Sequence, residues 1–380
     1  MPDVYDAVIV GGGPVGLFLG CRLAQLGLRL CVLERDLAPR AHSRSIGIHP
    51  PSLEYFEALG AVGGLLEGGV KVRRGLAFAG ARPLGVLDFA CLPGPYPFVL
   101  MLPQHETEAM LDAHLLSHCP GALERGAEVR TVHAFDDGVT VGYRHEGQDK
   151  RVAARFVVAC DGKESTVRTL AGLGFRGGPY GDSYLMGDFC DSSGLGADAA
   201  IYLAAEGLVE SFPLPGGVRR WVVKTDSYCK DATVSDLCKL VEARVGHRLA
   251  PETSTMLSAF GVQRYLAESF VRNRVILAGD AAHVVSPIGG QGMNLGWFDA
   301  WALARALARI VKEGQPHAPL LEAYNRRRMR AARAAIRRAE LNMLMGRKAR
   351  LAALRDAGVG ALLHSPFKRA LARLFTMRGL

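Results

Sequence analysis

The sequence has no CxxC pair among its eight cysteines, no positively charged opening segment and no unbroken hydrophobic run of membrane-spanning length. Each absence closes off a class. Cysteines at 21, 31, 91, 119, 160, 190, 229 and 238 are too scattered for a disulfide framework or a metal centre, so no metal is expected. A reducing cytoplasm is the expected compartment. Met1–Asp6 carries two acids, so no signal peptide is expected. The apolar stretch Ala7–Cys21 is interrupted by glycines and Pro14 and falls short of the roughly 20 residues that cross a bilayer. No repeat with a period of roughly 20 to 50 residues is visible, which excludes a solenoid. With 49% apolar and 22% charged residues, wholesale disorder, collagen and a polytopic membrane protein are excluded too.

What is present begins with an uneven charge. The 380 residues sum to +9, but residues 326–380 hold 15 Lys and Arg against 2 acids, which leaves the rest at −4. The base is a property of the tail and gives no nucleic-acid-coating surface; no recognition motif accompanies it, so no nucleic acid is expected. Glycine is abundant at 45 residues, which points to tight turns and close backbone approaches.

Val4–Val10 is a valine-rich run ending in Gly11-Gly12-Gly13-Pro14-Val15-Gly16. A helical pattern follows to Leu26, then a second apolar run from Leu28 closing on Glu34. Strand, glycine turn, helix and strand within about 30 residues make a βαβ unit. Thr107–Ser117 is expected to be a helix, Phe156–Ala159 and Val275–Ala278 buried strands, and the stretch from Tyr184 to Val223 part of an antiparallel sheet. From Gly292 the pattern is helical. The order α/β, mainly β, α/β, then helices fits a discontinuous nucleotide domain with an inserted sheet domain.

Three segments carry chemistry. Gly11, Gly13 and Gly16 occupy GxGxxG positions after a strand: the first makes the turn, the second admits a pyrophosphate, the third allows close helix–strand packing. The helix start at Pro14 and Val15 supplies a positive dipole end and, from Val15 onward, free N–H groups. Glu34, 18 residues beyond Gly16, ends the second strand where an acid can bond an unphosphorylated ribose, as in FAD or NAD. The second segment is Cys160-Asp161-Gly162-Lys163-Glu164-Ser165-Thr166-Val167-Arg168. The third is Ala278-Gly279-Asp280-Ala281-Ala282-His283 with Pro287-Ile288-Gly289-Gly290-Gln291-Gly292-Met293-Asn294, where Asp280 stands at a strand end and the glycine loop opens a helix.

These segments, in this order across about residues 4–300, resemble the class A flavoprotein monooxygenases, the para-hydroxybenzoate hydroxylase family. The resemblance implies a glutathione-reductase-type FAD-binding Rossmann domain at 1–72, 98–174 and 263–320. It also implies a mainly antiparallel substrate-binding sheet at 73–97 and 175–262, and basic C-terminal helices at 321–380. It implies FAD bound non-covalently: Gly11, Gly13 and Gly16 along the pyrophosphate, Glu34 on the adenosine ribose, Arg35 beside the adenine, Arg44 and Gln104 as further contacts, and Val129 offering backbone to the adenine. Asp161 would serve FAD and NAD(P)H in shared or indirect fashion, Asp280 would hold the ribityl chain, and Gly292, Met293 and Asn294 would lie under the isoalloxazine.

The implied reaction is hydroxylation of a phenolic, polycyclic or quinone-like aromatic by O₂ through a flavin C4a-hydroperoxide, with NADPH or NADH as transient co-substrate. Pro287 would shape the pocket over the flavin ring. His49 is a candidate base, set against the reading of a turn histidine before Pro50-Pro51, and His283 is expected to hold its own loop together. Trp297 and Trp301 are expected in the core. Competing readings are a relative supplied with reduced flavin by a partner reductase or oxidising a nitrogen-containing substrate, and a prenyl-protein chaperone. A geranylgeranyl reductase is disfavoured because Glu210 stands where its motif needs tryptophan before Phe212-Pro213. The tail is expected to pack on the nucleotide domain, with membrane-surface docking through Phe367–Leu374 as the sharper alternative. Monomer and homodimer both stay open.

Overall fold

In the computed structural model, which describes residues 4–39, 45–348 and 351–379, the first valine-rich run forms the strand Tyr5–Val10, buried from Asp6 onward. A strand buried along both faces needs cover on both sides, the condition parallel sheets meet. Tyr5–Val10 pairs in parallel with Leu30–Glu34 on one side and Gln148–Ala159 on the other. Leu123–Arg125 and Val275–Leu277 extend the parallel set at its two ends.

The helix Pro14–Gln25 packs against the helices Gln104–His118 and Gln291–Lys312. Its Phe18 meets the edge of Phe56 at 5.1 Å, and Phe56 meets Trp297 at 4.9 Å. Trp297 is fully buried and donates its Nε1–H to the Pro14 carbonyl at 3.0 Å, which ties the helix Gln291–Lys312 to the start of the first helix. Fully burying such side chains is worth about 1.5–3 kcal/mol each. Trp301 stacks on Tyr55 at 4.7 Å, so both tryptophans are packing residues.

A second eight-stranded sheet lies beyond it. From edge to edge it runs His283–Val284, Met256–Ala267, Phe175–Cys190, Val218–Thr225, Gly207–Leu214, Ala199–Ala204, Arg74–Ala79 and Arg82–Asp88. All neighbours are antiparallel except Ala199–Ala204 with Arg74–Ala79. One face carries Phe189, Val209, Trp221 and Val223 under the helix Val234–Val245. Thr233 and Asp236 start that helix with a reciprocal cap, and Gly246 in the left-handed region ends it. The other face carries Met186, Val222 and Phe260 toward a cavity. A three-stranded sheet, Gly47–Ile48, Val99–Met101 and Val70–Val72, closes the cavity from the side.

Two lines drawn from sequence cut through elements. Residue 262 lies within the strand Met256–Ala267, and the 320/321 division falls inside the continuous helix His317–Gly346. The tail turns back onto the protein. In Lys368–Phe375, Leu371, Ala372 and Phe375 join a cluster with Val72, Leu87 and Phe89. Arg378 donates to Glu54 at 2.7 Å. The apolar face that would meet a membrane is therefore filled by the protein's own sheet, although Phe367 stays 69% exposed. Among the described residues no helix is long and apolar enough to cross a membrane.

Candidate active site

Because Tyr5–Val10, Leu30–Glu34, Gln148–Ala159 and Val275–Leu277 run the same way, their carboxyl ends reach one edge. The three motifs follow those ends directly, so segments far apart in sequence converge where open α/β sheets bind ligands. A cavity of about 860 Å³ lies there, between the parallel sheet's edge and the inner face of the antiparallel sheet.

The three glycines of the first motif answer to different neighbours. Gly11 has φ +105°, and a Cβ on it would stand 2.4 Å from the Cys160 carbonyl oxygen. A Cβ on Gly16 would come within 1.9 Å of the Gly11 carbonyl oxygen, so this position is fixed by packing and does not border the cavity. At Gly13 nothing lies within 4 Å of a Cβ, and the residue faces the cavity with Pro14 and Val15. Glu34 is held in place by accepting from the Gly12 N–H at 2.5 Å and the Asp36 N–H at 2.7 Å. Arg35 stands exposed at the rim. Gln104 opens its helix and donates to Glu108 at 2.7 Å, and Val129 is buried in the strand Glu128–Ala134; both border the cavity. Burial pushes the Glu108 carboxyl up, with Gln104 opposing. Arg44 lies outside the described residues.

Asp161 borders the cavity while its carboxylate caps the next helix: it accepts from Ser165 Oγ at 2.5 Å and the Val167 N–H at 3.1 Å. Burial raises its carboxyl above the usual range despite those donors. Arg168 joins the second motif to the third, donating to Lys163 O at 2.8 Å and Ala281 O at 3.0 Å with its guanidinium 3.7 Å over Phe175. His283 bonds Asp299 at 2.6 Å, and Asp299 also accepts from the Gly279 N–H at 3.1 Å and from Arg328 Nε at 2.5 Å. Although burial opposes it, His283 and Arg328 together hold the Asp299 carboxyl below its ordinary value. This buried knot fixes the strand end from which Asp280 projects. Asp280 is solvent-accessible only in the sense that it opens into the cavity; protein crowds it, and burial pushes its carboxyl up against the opposing effect of His283.

Gly289 and Gly290, at φ +92° and +64°, turn the chain into the helix Gln291–Lys312, whose Gly292 and Met293 border the cavity. Asn294 is not part of the cavity wall: its amide donates to Gly47 O and Gly290 O at 2.9 Å and accepts from the His49 N–H and Ser52 Oγ at 2.9 and 2.7 Å. It clamps the loop instead. His49 lies under that loop with Nε2 3.3 Å from the Gly289 carbonyl, and burial pushes its pKa down to about 4. Its ring is neutral at neutral pH, and Nδ1 is buried without a partner among the described residues. Pro287 is exposed into the same cavity.

Sequence reasoning missed the far wall. Glu210, Phe212 and Arg220 project from the antiparallel sheet, and Phe375 reaches in from the tail, its ring 6.4 Å from that of His49. A signal existed for Glu210: it shares strand parity with Leu208, Phe212 and Leu214, an acid set in an apolar stripe. Phe375 had none.

The helices Pro14–Gln25 and Gln291–Lys312 both begin at this cavity with glycine at the cap and no side-chain cap bond. Their first N–H groups are left to a ligand. With the open space at Gly13 and the accessible Asp280, this donor and acceptor set fits FAD, and the volume lies in the roughly 300–1,000 Å³ range of cofactor sites. Among the described residues no cluster of His, Cys, Asp and Glu could hold a metal ion.

Residues 4–339 match the FAD binding domain family. The chain is similar to the rifampicin monooxygenase of Streptomyces venezuelae, 35% identical over 338 residues that cover 86% of this chain and 68% of that enzyme. Among solved structures, p-nitrophenol 4-monooxygenase from Pseudomonas putida DLL-E4 aligns with a TM-score of 0.91 at 26% identity, covering 100% of this chain and 99% of that one. The anhydrotetracycline hydroxylase from Streptomyces rimosus aligns at 0.82 with 30% identity, covering 100% and 77%.

Proposed function

The chain belongs to the FAD-dependent aromatic monooxygenases, and from that premise we propose that it hydroxylates a phenolic or polycyclic aromatic compound bound between its two large sheets. Enzymes of this family use NAD(P)H and O₂. When bound, the flavin supplies the oxygen-transfer chemistry, and the protein supplies position and exclusion of water. In our reading the Gly11–Val15 turn and the first helix start receive the pyrophosphate. Glu34, Arg35, Gln104 and Val129 surround the adenosine end, with Asp161 acting from behind. Asp280 holds the polar chain between the two ends, and Gly292 and Met293 stand at the ring end with Pro287. His49 keeps that loop in place as a neutral donor to Gly289. Strands of the antiparallel sheet form the substrate side, and the parallel sheet with its helices forms the FAD side of an inserted-domain arrangement.

The observation that carries the aromatic substrate is the chemistry of the far wall. Met186, Phe212, Val222 and Phe260 offer apolar surface, interrupted by Glu210 and by Arg220 in its pairing with Asp188. A flat ring with one or two polar substituents matches such a wall. Two of the similar proteins are named for polycyclic compounds and one for a nitrophenol, in keeping with this class.

Anaerobic reduction of the bound flavin by NADPH and by NADH, with and without a panel of phenols, tests the reading. A phenol that speeds reduction supports it and names the substrate class. No reduction by either coenzyme under any condition overturns a self-sufficient hydroxylase and points to a separate reductase.

A further inference from the structure

Asp182, Asp188 and Glu210 are the buried acids of the antiparallel sheet's cavity side, and two of them are matched. Asp188 receives Nε and Nη2 of Arg220, both at 2.7 Å. Asp182 lies 3.3 Å from Lys224 and 2.6 Å from Arg347, and these cations outweigh burial to hold its carboxyl low. Glu210 is 7% exposed and makes no hydrogen bond or ion pair with any described residue. Its carboxylate is not sealed in, since the residue borders the cavity.

Register fixes its surroundings. Glu210 stands in the row Ile201–Glu210–Val222–Met186, between a row of Phe212, Arg220 and Asp188 and a row of Lys224, Tyr184 and Phe260. The charged groups nearby are engaged elsewhere: Arg220 holds Asp188, Lys224 holds Asp182, and Arg355, from the helix packed beyond, donates to Leu203 O and pairs with Asp356. Tyr184 keeps its proton, its pKa raised by burial and by the charge on Glu210, and its hydroxyl has no partner among the described residues. Across the cavity stand neutral His49, Pro287 and Phe375.

A buried acid with a structural task is matched, as Asp182 and Asp188 are. An unmatched one lowers stability, and it is retained where a ligand meets its need. We propose, building on the phenolic reading above, that Glu210 accepts the proton of the substrate's aromatic hydroxyl. The O–H bond breaks, the proton passes to the carboxylate to give the carboxylic acid, and the electron pair stays on the phenolate oxygen, enriching the ring carbons ortho and para to it. Burial moves the Glu210 carboxyl up to about 7, where it exchanges a proton readily near neutral pH.

The test compares flavin-loaded wild type, Glu210→Gln and Glu210→Asp on two probes. One is a weakly acidic phenol from the reduction panel, ionising near ~10 as tyrosine does; the other is 4-nitrophenol, already largely ionised at pH 8. Glu210→Gln is expected to lower kcat for the weak acid about 100-fold with far less change in KM. It should also erase the limb of the pH profile near 7, while sparing 4-nitrophenol. Glu210→Asp should regain part of the loss. Equal losses on both probes, or a pH profile unchanged in Glu210→Gln, overturn the proposal. If no phenol binds to wild type or speeds its flavin reduction, the phenolic reading itself falls and the proton-acceptor role with it. Flavin content and reduction without phenol, read in parallel, separate either result from misfolding.

Discussion

Along the edge of the parallel sheet the cavity is built around backbone features, the turns at Gly11–Gly13 and Gly289–Gly290 and two bare helix starts, with side chains such as Glu34 and Asp280 beside them. Opposite, the antiparallel sheet presents side chains at alternate strand positions, Glu210 and Phe212 from one strand and Arg220 and Val222 from the next. The first wall is specified by what each residue must not carry, the second by what each carries. A backbone wall recognises a constant group and tolerates little change. A side-chain wall can be rewritten one residue at a time, which is where the function we propose puts substrate choice.

The largest effect comes from breaking what anchors the backbone wall. Replacing Asp299 by Ala leaves Arg328 buried without its carboxylate, an uncompensated charge that costs about 3–5 kcal/mol. A lower thermal midpoint and loss of flavin on gel filtration would register it. Glu210→Gln acts in the opposite direction in the side-chain wall. The folded carboxyl ionises at about 7 against 4.5 for an unburied one, so wild type bears a buried charge above pH 7 and none below about 4.5. The variant should therefore be more stable at pH 8 by about 3 kcal/mol, converging with wild type as the pH falls. Thermal midpoints at pH 8 and pH 5 check the sign. The smallest effect sharpens the contrast within one motif. Gly13→Ala, with no atom beyond its own chain neighbours within 4 Å of the new methyl, should keep the fold while weakening FAD about tenfold, or ~1.4 kcal/mol. Gly16→Ala, aimed 1.9 Å from the Gly11 carbonyl oxygen, should damage the fold itself. Flavin titration of the apoprotein beside its melting curve distinguishes the two.

The same division explains what could be read in advance. Gly11, Gly13, Gly16 and Glu34 sit within one βαβ unit, so spacing alone points to a turn, an open helix start and an acid at a strand end. The knot of His283 with Asp299 and Arg328 was half visible, since the loop-holding part of His283 was foreseen and its two partners on later helices were not. Glu210 was noticed only for failing to be a tryptophan. Its meaning depends on register with Ile201 and Val222 and on its having no cation partner among the described residues, neither of which is local. Asn294 looked like a cavity residue because it follows Gly292 and Met293, but helical rotation turns it onto Gly47 and Ser52. The division at 320/321 overlooked Pro316, which starts the helix that runs to Gly346.

Phe375 borders the cavity, and Arg378 fastens its segment to Glu54 near the other end of the chain. Synthesis proceeds from the opposite direction. The glycine turn and the strands that carry Glu34 and Asp280 leave the ribosome long before Phe375, so during translation the cavity exists as an open trough. Until Lys368–Phe375 folds back, the cavity lacks the part of its wall that Phe375 supplies. A nonsense codon between those for Asn294 and Lys368 would leave every nucleotide motif in place and take Phe375 out of the cavity wall.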